Sequence, residues 1–257
     1  MKHFALTLFA VAAMSVPSLA QTPARTISAS TNKLNVEQLQ GESQNVQLSR
    51  YFFAGYNTLC LPMSLTSEQL SAAASGLTVE RLAAIHQEGN VLNLYFVDCT
   101  SEGIEAGVPY LVYSPTSQFL RARKDNAVRV DAGLKAVRMS DGEGNTVTFS
   151  SSWEAMAKEG RYGIPAQQNV TPLESVLVRT EGDKTFLPTR CGFSWDQQSS
   201  TASELRICHA PSMGEVNAIV GVEKAQTVVD TYDLSGRKVA GQQKKGIYVV
   251  GGEKVIK

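Results

Sequence analysis

Hydrophobic and polar residues alternate over many short stretches of the chain, a pattern typical of β-strands with one buried face. The clearest stretch runs from Val91 to Asp98. Turn-forming residues precede it, so we predict a hairpin between this strand and one over 79–86. Further strands are predicted over 46–52, 57–61, 109–113, 127–130, 134–139, 146–149, 175–179, 185–187 and 205–208.

Two segments have the pattern of short helices. The run from Thr66 to Gln69 is a capping box, in which the threonine and glutamine side chains each bond the other residue's backbone. Gly76 provides the C-terminal stop, which predicts one short helix. Ser152 is a candidate cap for a second helix ending at Lys158.

Many short strands with one or two short helices predict a mainly β protein. We expect an antiparallel β-sandwich or barrel-like domain over 45–214, plus a small C-terminal β tail over 217–257. Within the tail, Gly251 and Gly252 suit a two-residue hairpin turn. Residues 21–44 are polar and without sustained period, so we interpret them as a linker with one short strand at 34–36.

The first twenty residues have the pattern of a secretory signal peptide. Lys2 gives a basic start, an apolar run follows, and small residues stand at the positions that signal peptidase recognises. Cleavage is therefore expected between Ala20 and Gln21. The competing interpretation is a buried N-terminal helix.

Composition excludes several classes of partner. The chain has 24 Lys and Arg against 24 Asp and Glu, so its formal net charge is zero. Without a basic field, nucleic acid is not an expected partner. Beyond the signal peptide no stretch approaches the roughly 18 apolar residues of a membrane span, so we predict no transmembrane helix.

The C-terminal residues carry a recognisable set of short motifs. The segment resembles the C-terminal sorting segments of proteins exported by the type IX secretion system of the Bacteroidetes. The resemblance implies that the export machinery binds this tail. The matching residues are Tyr232, Asp233, Leu234, Gly236, Arg237, Gly246, Tyr248, Val249, Lys254, Val255 and Lys257.

Two other segments carry a second resemblance. The run Asn57 to Pro62 (NTLCLP), with Ala106 to Tyr110 downstream, is similar to a β-rich domain of secreted Bacteroidetes proteins of unknown function. The resemblance implies that the protein comes from the Bacteroidetes and is secreted, and it assigns no catalytic residue.

The four cysteines lie beyond the signal peptide, where disulfides can form. Cys191 and Cys208 flank a polar loop and are the candidate disulfide pair, with buried free thiols as the alternative. Neither cysteine belongs to a CxxC pair, and the chain lacks the ligand spacing of a zinc finger. We therefore predict no metal site and no cofactor.

No catalytic constellation emerges, and we assign no catalytic residue. Cys208 and His209 are neighbours on a predicted strand and point to opposite faces, so they cannot form a nucleophilic dyad. A pair of carboxylates converging from loops remains open as an alternative. Trp153 and Trp195 are candidate binding aromatics, with core packing as the competing interpretation.

These observations favour a secreted or cell-surface, non-enzymatic protein that binds a host protein, matrix component or glycan. If the tail does not act as a sorting signal, the protein is expected in the periplasm. Two alternatives stay open: an extracellular hydrolase that uses loop carboxylates, and a structural component of the envelope or biofilm. An exposed aromatic patch is the observation that favours binding.

Overall fold

The computed structural model describes residues 25–41, 46–122, 129–164, 175–198, 200–220, 231–233, 247–250 and 253–256. These residues form a mainly β protein with two short α-helices, which confirms the predicted fold class. Of the predicted strand over 127–130, residues 127 and 128 lie outside the described residues, and Val130 forms an isolated β-bridge with Met63.

The described strands and helices are numbered in chain order. The strands are β1 (Arg25–Ser28), β2 (Val46–Phe52), β3 (Gly55–Leu59), β4 (Thr78–Glu88), β5 (Val91–Asp98), β6 (Tyr110–Ser114), β7 (Gln118–Ala122), β8 (Val137–Ser140), β9 (Asn145–Ser151), β10 (Met156–Ala157), β11 (Tyr162–Gly163), β12 (Ser175–Arg179), β13 (Thr185–Phe186), β14 (Cys191–Gln197), β15 (Glu204–Ala210), β16 (Thr231–Asp233), β17 (Ile247–Val250) and β18 (Glu253–Ile256). The helices are α1 (Ser67–Ala73), α2 (Met213–Val220) and a single 3-10 turn at Glu37–Leu39.

Ten of the described strands form one sheet in the order β3-β6-β4-β5-β15-β12-β11-β14-β9-β8. The predicted hairpin is present as β4 and β5, which are antiparallel with a bulge between Leu82 and Ala84. The pair β5 and β15 is parallel, which differs from the antiparallel arrangement expected from the sequence. A tight turn forces hairpin strands to be antiparallel, whereas a long connection such as the one between β5 and β15 allows either direction.

The large sheet curls into a half-barrel, so that edge strand β3 reaches the start of β14. The Thr58 hydroxyl donates to the Cys191 carbonyl at 3.1 Å and accepts from the Cys191 amide at 2.8 Å. The Cys60 amide donates to the Thr189 carbonyl at 3.0 Å. These bonds satisfy polar groups that an open edge would leave unpaired.

Three phenylalanines fill the concave side of this sheet. Phe149 on β9 stacks on Phe193 on β14, with ring centroids 4.3 Å apart. Phe96 on β5 meets both rings edge-on at 6.0 and 6.3 Å. All three are fully buried, so they form the centre of the core.

A smaller sheet in the order β1-β2-β7 packs its inner face on the same core. Residues 25–41, interpreted above as a linker, contribute four buried side chains to that core, and the strand in this region is β1 rather than 34–36. The positions of these buried residues in the sequence match neither the two-residue period of a strand nor the 3.6-residue period of a helix, so the pattern did not predict them. The four are Ile27, Leu34, Val36 and Leu39.

The first predicted helix is confirmed as α1, with both bonds of the capping box at Thr66 and Gln69. The second, expected to begin at Ser152, is wrong. The Ser152 hydroxyl accepts from the Glu154 amide at 3.0 Å, which makes a local turn, and β10 follows. Helix α2 was not predicted; its Val216 packs on the outer face of the large sheet.

The strands of the C-terminal tail form a three-stranded antiparallel sheet in the order β16-β17-β18. Val250 pairs with Glu253, which leaves two residues for the connection. The predicted hairpin at this position is therefore present.

Candidate functional site

Three exposed aromatic side chains lie together on the outer face of the small sheet. They are Tyr51 at the end of β2, Phe53 directly after it, and Phe119 on β7, and we call them the aromatic face. Their exposed fractions are 36%, 62% and 47%. Rings of this size are normally buried in a folded protein, so their exposure as a group makes this face the candidate contact surface.

Strand alternation places these rings outward. Arg50 and Phe52 on β2 point into the protein and are buried, so the intervening Tyr51 faces solvent. The strand register sets Tyr51 directly opposite Phe119. Adjacent strands therefore hold the two rings side by side.

The rings contact one another edge to face. The centroid of Tyr51 lies 5.2 Å from that of Phe53 and 4.9 Å from that of Phe119. The guanidinium of Arg121 lies 5.1 Å from the centre of the Phe119 ring, at cation–π distance. The aromatic face thus carries one cation at its border.

A hydrogen-bonded turn fixes the position of Phe53. The side-chain amide of Asn57 donates to the carbonyls of Phe53 at 2.8 Å and Gly55 at 2.9 Å, while its oxygen accepts from the Phe53 amide at 3.2 Å. Gly55 has a φ of +96°, a conformation that favours glycine. The most exposed ring of the group is therefore held on a rigid support.

Small polar side chains continue the outer face beyond the rings. Gln47 and Ser49 alternate with Tyr51 along β2, and Ser28 on β1 lies opposite Ser49. The described residues of this face include no acidic side chain. The surface therefore combines flat apolar rings with hydroxyl and amide groups that can form hydrogen bonds.

The two tryptophans singled out in the sequence lie elsewhere. Trp153 is 8% exposed and its indole N–H donates to the Ala132 carbonyl at 2.7 Å, so it is a core residue. Trp195 is half-buried and donates to Asn145 Oδ1 at 3.0 Å. Both indole N–H groups therefore have their hydrogen-bond partners within the protein.

The candidate disulfide is not formed, since all four cysteines are free thiols. Cys191 lies on β14 and Cys208 on β15, and two strands separate β14 from β15 in the sheet. Burial raises the pKa of both thiols above the ordinary value. Neither is therefore an activated nucleophile.

A buried polar cluster joins three strands at one end of the large sheet. His209 Nδ1 lies 2.9 and 3.0 Å from the two carboxylate oxygens of Glu80, and the imidazole stacks on Tyr56 with centroids 4.7 Å apart. Burial, and then the charge of Glu80, raises the pKa of Tyr56 above its ordinary value. Cys208 faces the other way, toward Asn93, which confirms that Cys208 and His209 form no dyad.

The cluster was not foreseen, because its members come from separate strands. Glu80 lies in the predicted strand over 79–86, and Tyr56 precedes the NTLCLP run. The cluster has a base and an orienting carboxylate, and the Tyr56 hydroxyl lies 3.5 Å from His209 Nδ1. Because burial raises the pKa of this phenol, Tyr56 is not an activated nucleophile.

Several predicted residues lie in the tail or outside the described part of the chain. Tyr232 and Asp233 are in β16, Tyr248 and Val249 in β17, and Lys254 and Val255 in β18. The cleavage residues Ala20 and Gln21 lie outside the described residues, as do Leu234, Gly236, Arg237, Gly246 and Lys257.

The described residues hold no group of three or more His, Cys, Asp or Glu side chains that could bind a metal ion. Within the same residues, no helix is long and apolar enough to cross a membrane.

Comparison with family models, curated proteins and solved structures finds no match to this chain.

Proposed function

We propose that this is a secreted or cell-surface, non-enzymatic binding protein that holds a glycan on its aromatic face. The observation that carries the proposal is the exposure of Tyr51, Phe53 and Phe119 as one contiguous group. Exposed apolar area of this kind is unfavourable in water and is commonly retained for a ligand.

The size of the aromatic face favours a small ligand over a protein. Taking about 200 Å² for each aromatic side chain, the three exposed fractions amount to about 300 Å². A stable protein interface takes roughly 800 Å² from each partner. A short saccharide covers the smaller area with two or three rings.

The chemistry of the surface also fits a saccharide. A sugar ring has an apolar C–H side that packs on an aromatic ring, and hydroxyls around its edge that need hydrogen-bond partners. Ser28, Ser49 and Gln47 supply such partners beside the rings. Arg121 adds a cation that would favour a sugar with an acidic substituent.

The export signals supply the location. Residues 1–20 fit a signal peptide, and the tail resembles a type IX sorting segment. Both support a protein that meets its ligand outside the inner membrane. The machinery that binds the tail is the second expected partner.

A glycan array tests the proposal. The purified protein is compared with a variant carrying Tyr51→Ser, Phe53→Ser and Phe119→Ser. The matched control carries Leu134→Ser, Val178→Ser and Ile219→Ser, which change exposed aliphatic residues elsewhere. We expect glycan binding by the native protein and the control, and its loss in the aromatic variant.

Three results would contradict the proposal. Binding that survives in the aromatic variant would remove the aromatic face as the site. Binding to a host-protein array, with no binding to glycans, would show that the ligand is a protein and not a glycan. Release of reducing ends from a bound glycan would show that the protein is a hydrolase and not a non-enzymatic binding protein.

A further inference from the structure

A cleft lies beside β1, the edge strand of the small sheet. It is lined by the end of β1, by the loop that follows, and by the 3-10 turn at Glu37–Leu39. Its volume is about 560 Å³, and small-molecule sites commonly have volumes of roughly 300–1,000 Å³. The cleft therefore has the size of a site for a small ligand.

Hydrogen bonds hold the loop of the cleft in place. The Leu34 amide donates to the Trp153 carbonyl at 2.8 Å, which ties the loop to the core. The Thr31 hydroxyl donates to the carbonyls of Ser28 at 3.1 Å and Lys33 at 2.9 Å, which fixes the turn after β1. The cleft is therefore preformed, and a ligand loses little affinity to ordering it.

Aliphatic side chains form the floor of the cleft. Ile27, Leu34 and Leu39 line it and are 6%, 5% and 8% exposed. The described lining residues include no aromatic ring, so the cleft offers no flat platform on which a sugar ring could stack. Its floor suits a small apolar group such as a methyl.

The rim of the cleft is polar and has no net charge. Asn35 and Gln38 are exposed lining residues, and no hydrogen bond within the described part of the chain engages either side-chain amide. Each amide offers both an N–H donor and an oxygen acceptor. Lys33, the one cation among the described lining residues, is paired with the carboxylate of Glu154. The rim therefore favours a neutral group that has both a donor and an acceptor.

The cleft adjoins the aromatic face through Ser28. This residue lines the cleft and lies opposite Ser49 on β2, and Tyr51 follows two positions further along β2. The spacing of paired strands puts the backbones of Ser28 and Tyr51 about 8 Å apart. Arg121 lies on β7, at the opposite edge of the small sheet. A glycan stacked on Tyr51 can therefore extend away from Arg121 and into the cleft.

We propose that the cleft holds the N-acetyl group of a neutral sugar residue in the glycan that binds the aromatic face, an inference that rests on the proposed function. The methyl of the acetamido group packs on the aliphatic floor. Its carbonyl accepts from, and its N–H donates to, the side-chain amides of Asn35 and Gln38. The cleft thus selects an N-acetylated sugar over one with a hydroxyl in the same position.

Two trisaccharides that differ only in this group test the inference. Tri-N-acetylchitotriose and cellotriose share the same sugar backbone and linkage, and the first carries an acetamido group where the second has a hydroxyl. Calorimetric titration of the native protein is expected to show about tenfold tighter binding of tri-N-acetylchitotriose, because one small apolar group in a matching pocket typically discriminates by at least this factor.

Variants assign the preference to the cleft. The cleft variant, Asn35→Ala with Gln38→Ala, is expected to bind the two trisaccharides with equal affinity. Gln198→Ala is the matched control, because it removes an exposed amide directly after β14, and it is expected to keep the native preference. The aromatic variant described above is expected to bind neither trisaccharide.

The outcomes separate this inference from the proposed function. Equal affinities of the native protein for the two trisaccharides, or a preference that survives in the cleft variant, would overturn the inference. If the aromatic variant then binds neither sugar, the proposed function stands. Binding that is lost in the cleft variant and unchanged in the aromatic variant would contradict the proposed function alone. A native protein that binds neither trisaccharide also overturns the inference, and the glycan array then decides the proposed function.

Discussion

The ring of His209 stacks on the ring of Tyr56, with centroids 4.7 Å apart and an angle of 18° between the planes. Tyr56 lies on β3 and His209 on β15, and three strands stand between them in the sheet. The contact is possible because the sheet curls back on itself. Glu80, on an intervening strand, completes the contact by holding the imidazole.

Removing His209 alone is expected to destabilise the protein strongly. His209→Leu leaves the carboxylate of Glu80 buried without its partner, which typically costs about 3–5 kcal/mol. The double variant Glu80→Leu with His209→Leu is expected to recover much of that loss, since it removes the unpaired charge. Urea unfolding at pH 7 measures both.

The matched control for this pair is His86→Leu. His86 is partly exposed on β4, so its replacement is expected to change the free energy of unfolding by about 1 kcal/mol or less. The prediction fails if His209→Leu is as stable as this control, or if the double variant is no more stable than His209→Leu.

Stability is expected to fall as the pH rises above 9. Burial raises the pKa of Cys60 from 9.0 to about 12, so the unfolded chain releases this proton first. The stabilising contribution is fully present below pH 9 and is lost as the pH rises to 12. Cys99 and Tyr95, also with pKa values near 12, act in the same direction, whereas Arg50 opposes them.

Cys60→Ala isolates this contribution. Between pH 9 and 11, the slope of unfolding free energy against pH is expected to become less steep by up to about 1.4 kcal/mol per pH unit. Val79→Ala, which alters a buried non-titrating residue, should shift the curve without changing its slope. Denaturant unfolding under reducing conditions gives both slopes. Equal slopes in the native protein and Cys60→Ala would refute the prediction.

All four cysteines are expected to be free. Cys191 and Cys208 lie on strands three sheet positions apart, which is roughly 14 Å along the sheet, while a disulfide needs Cα atoms within about 7 Å. Alkylation of the unfolded, non-reduced protein followed by mass spectrometry should therefore label four thiols. Only two labelled thiols, with Cys191 and Cys208 both protected, would support the disulfide instead.

Features set by a few adjacent residues could be predicted from the sequence. The capping box at Thr66 and the hairpin of β4 and β5 both depend on side chains within a few positions of one another. Their backbone geometry is therefore specified locally. The pairing of β5 with β15 depends on residues more than a hundred positions apart, and no local pattern encodes it.

The aromatic face was missed for a specific reason. Tyr51, Phe52 and Phe53 are consecutive, so both faces of β2 carry an aromatic ring and the alternation does not show which is exposed. Phe119 lies on β7, a strand that was not predicted. The sequence signal for this face was the pair Tyr51 and Phe53, two aromatic residues at alternate positions on the strand face opposite a buried one. Choosing candidates because they were tryptophans led instead to Trp153, which is a core residue.

The tail is expected to direct export. Deleting residues 226–257 should leave the protein in the periplasm, because this removes every motif that resembles a type IX sorting segment. Fractionation of cells and medium measures the change, and a full-length Val178→Ser variant serves as control. Unchanged surface or medium levels after the deletion would show that the tail is not a sorting signal.

Calorimetric titration with the best array ligand tests whether Phe119 and its neighbours bind a glycan. Phe119→Ala is expected to weaken binding about tenfold, or 1.4 kcal/mol, since it removes a ring and the cation–π contact with Arg121. Leu134→Ala, at an exposed site elsewhere, should leave the affinity unchanged. Equal affinities for the native protein and Phe119→Ala would contradict the account.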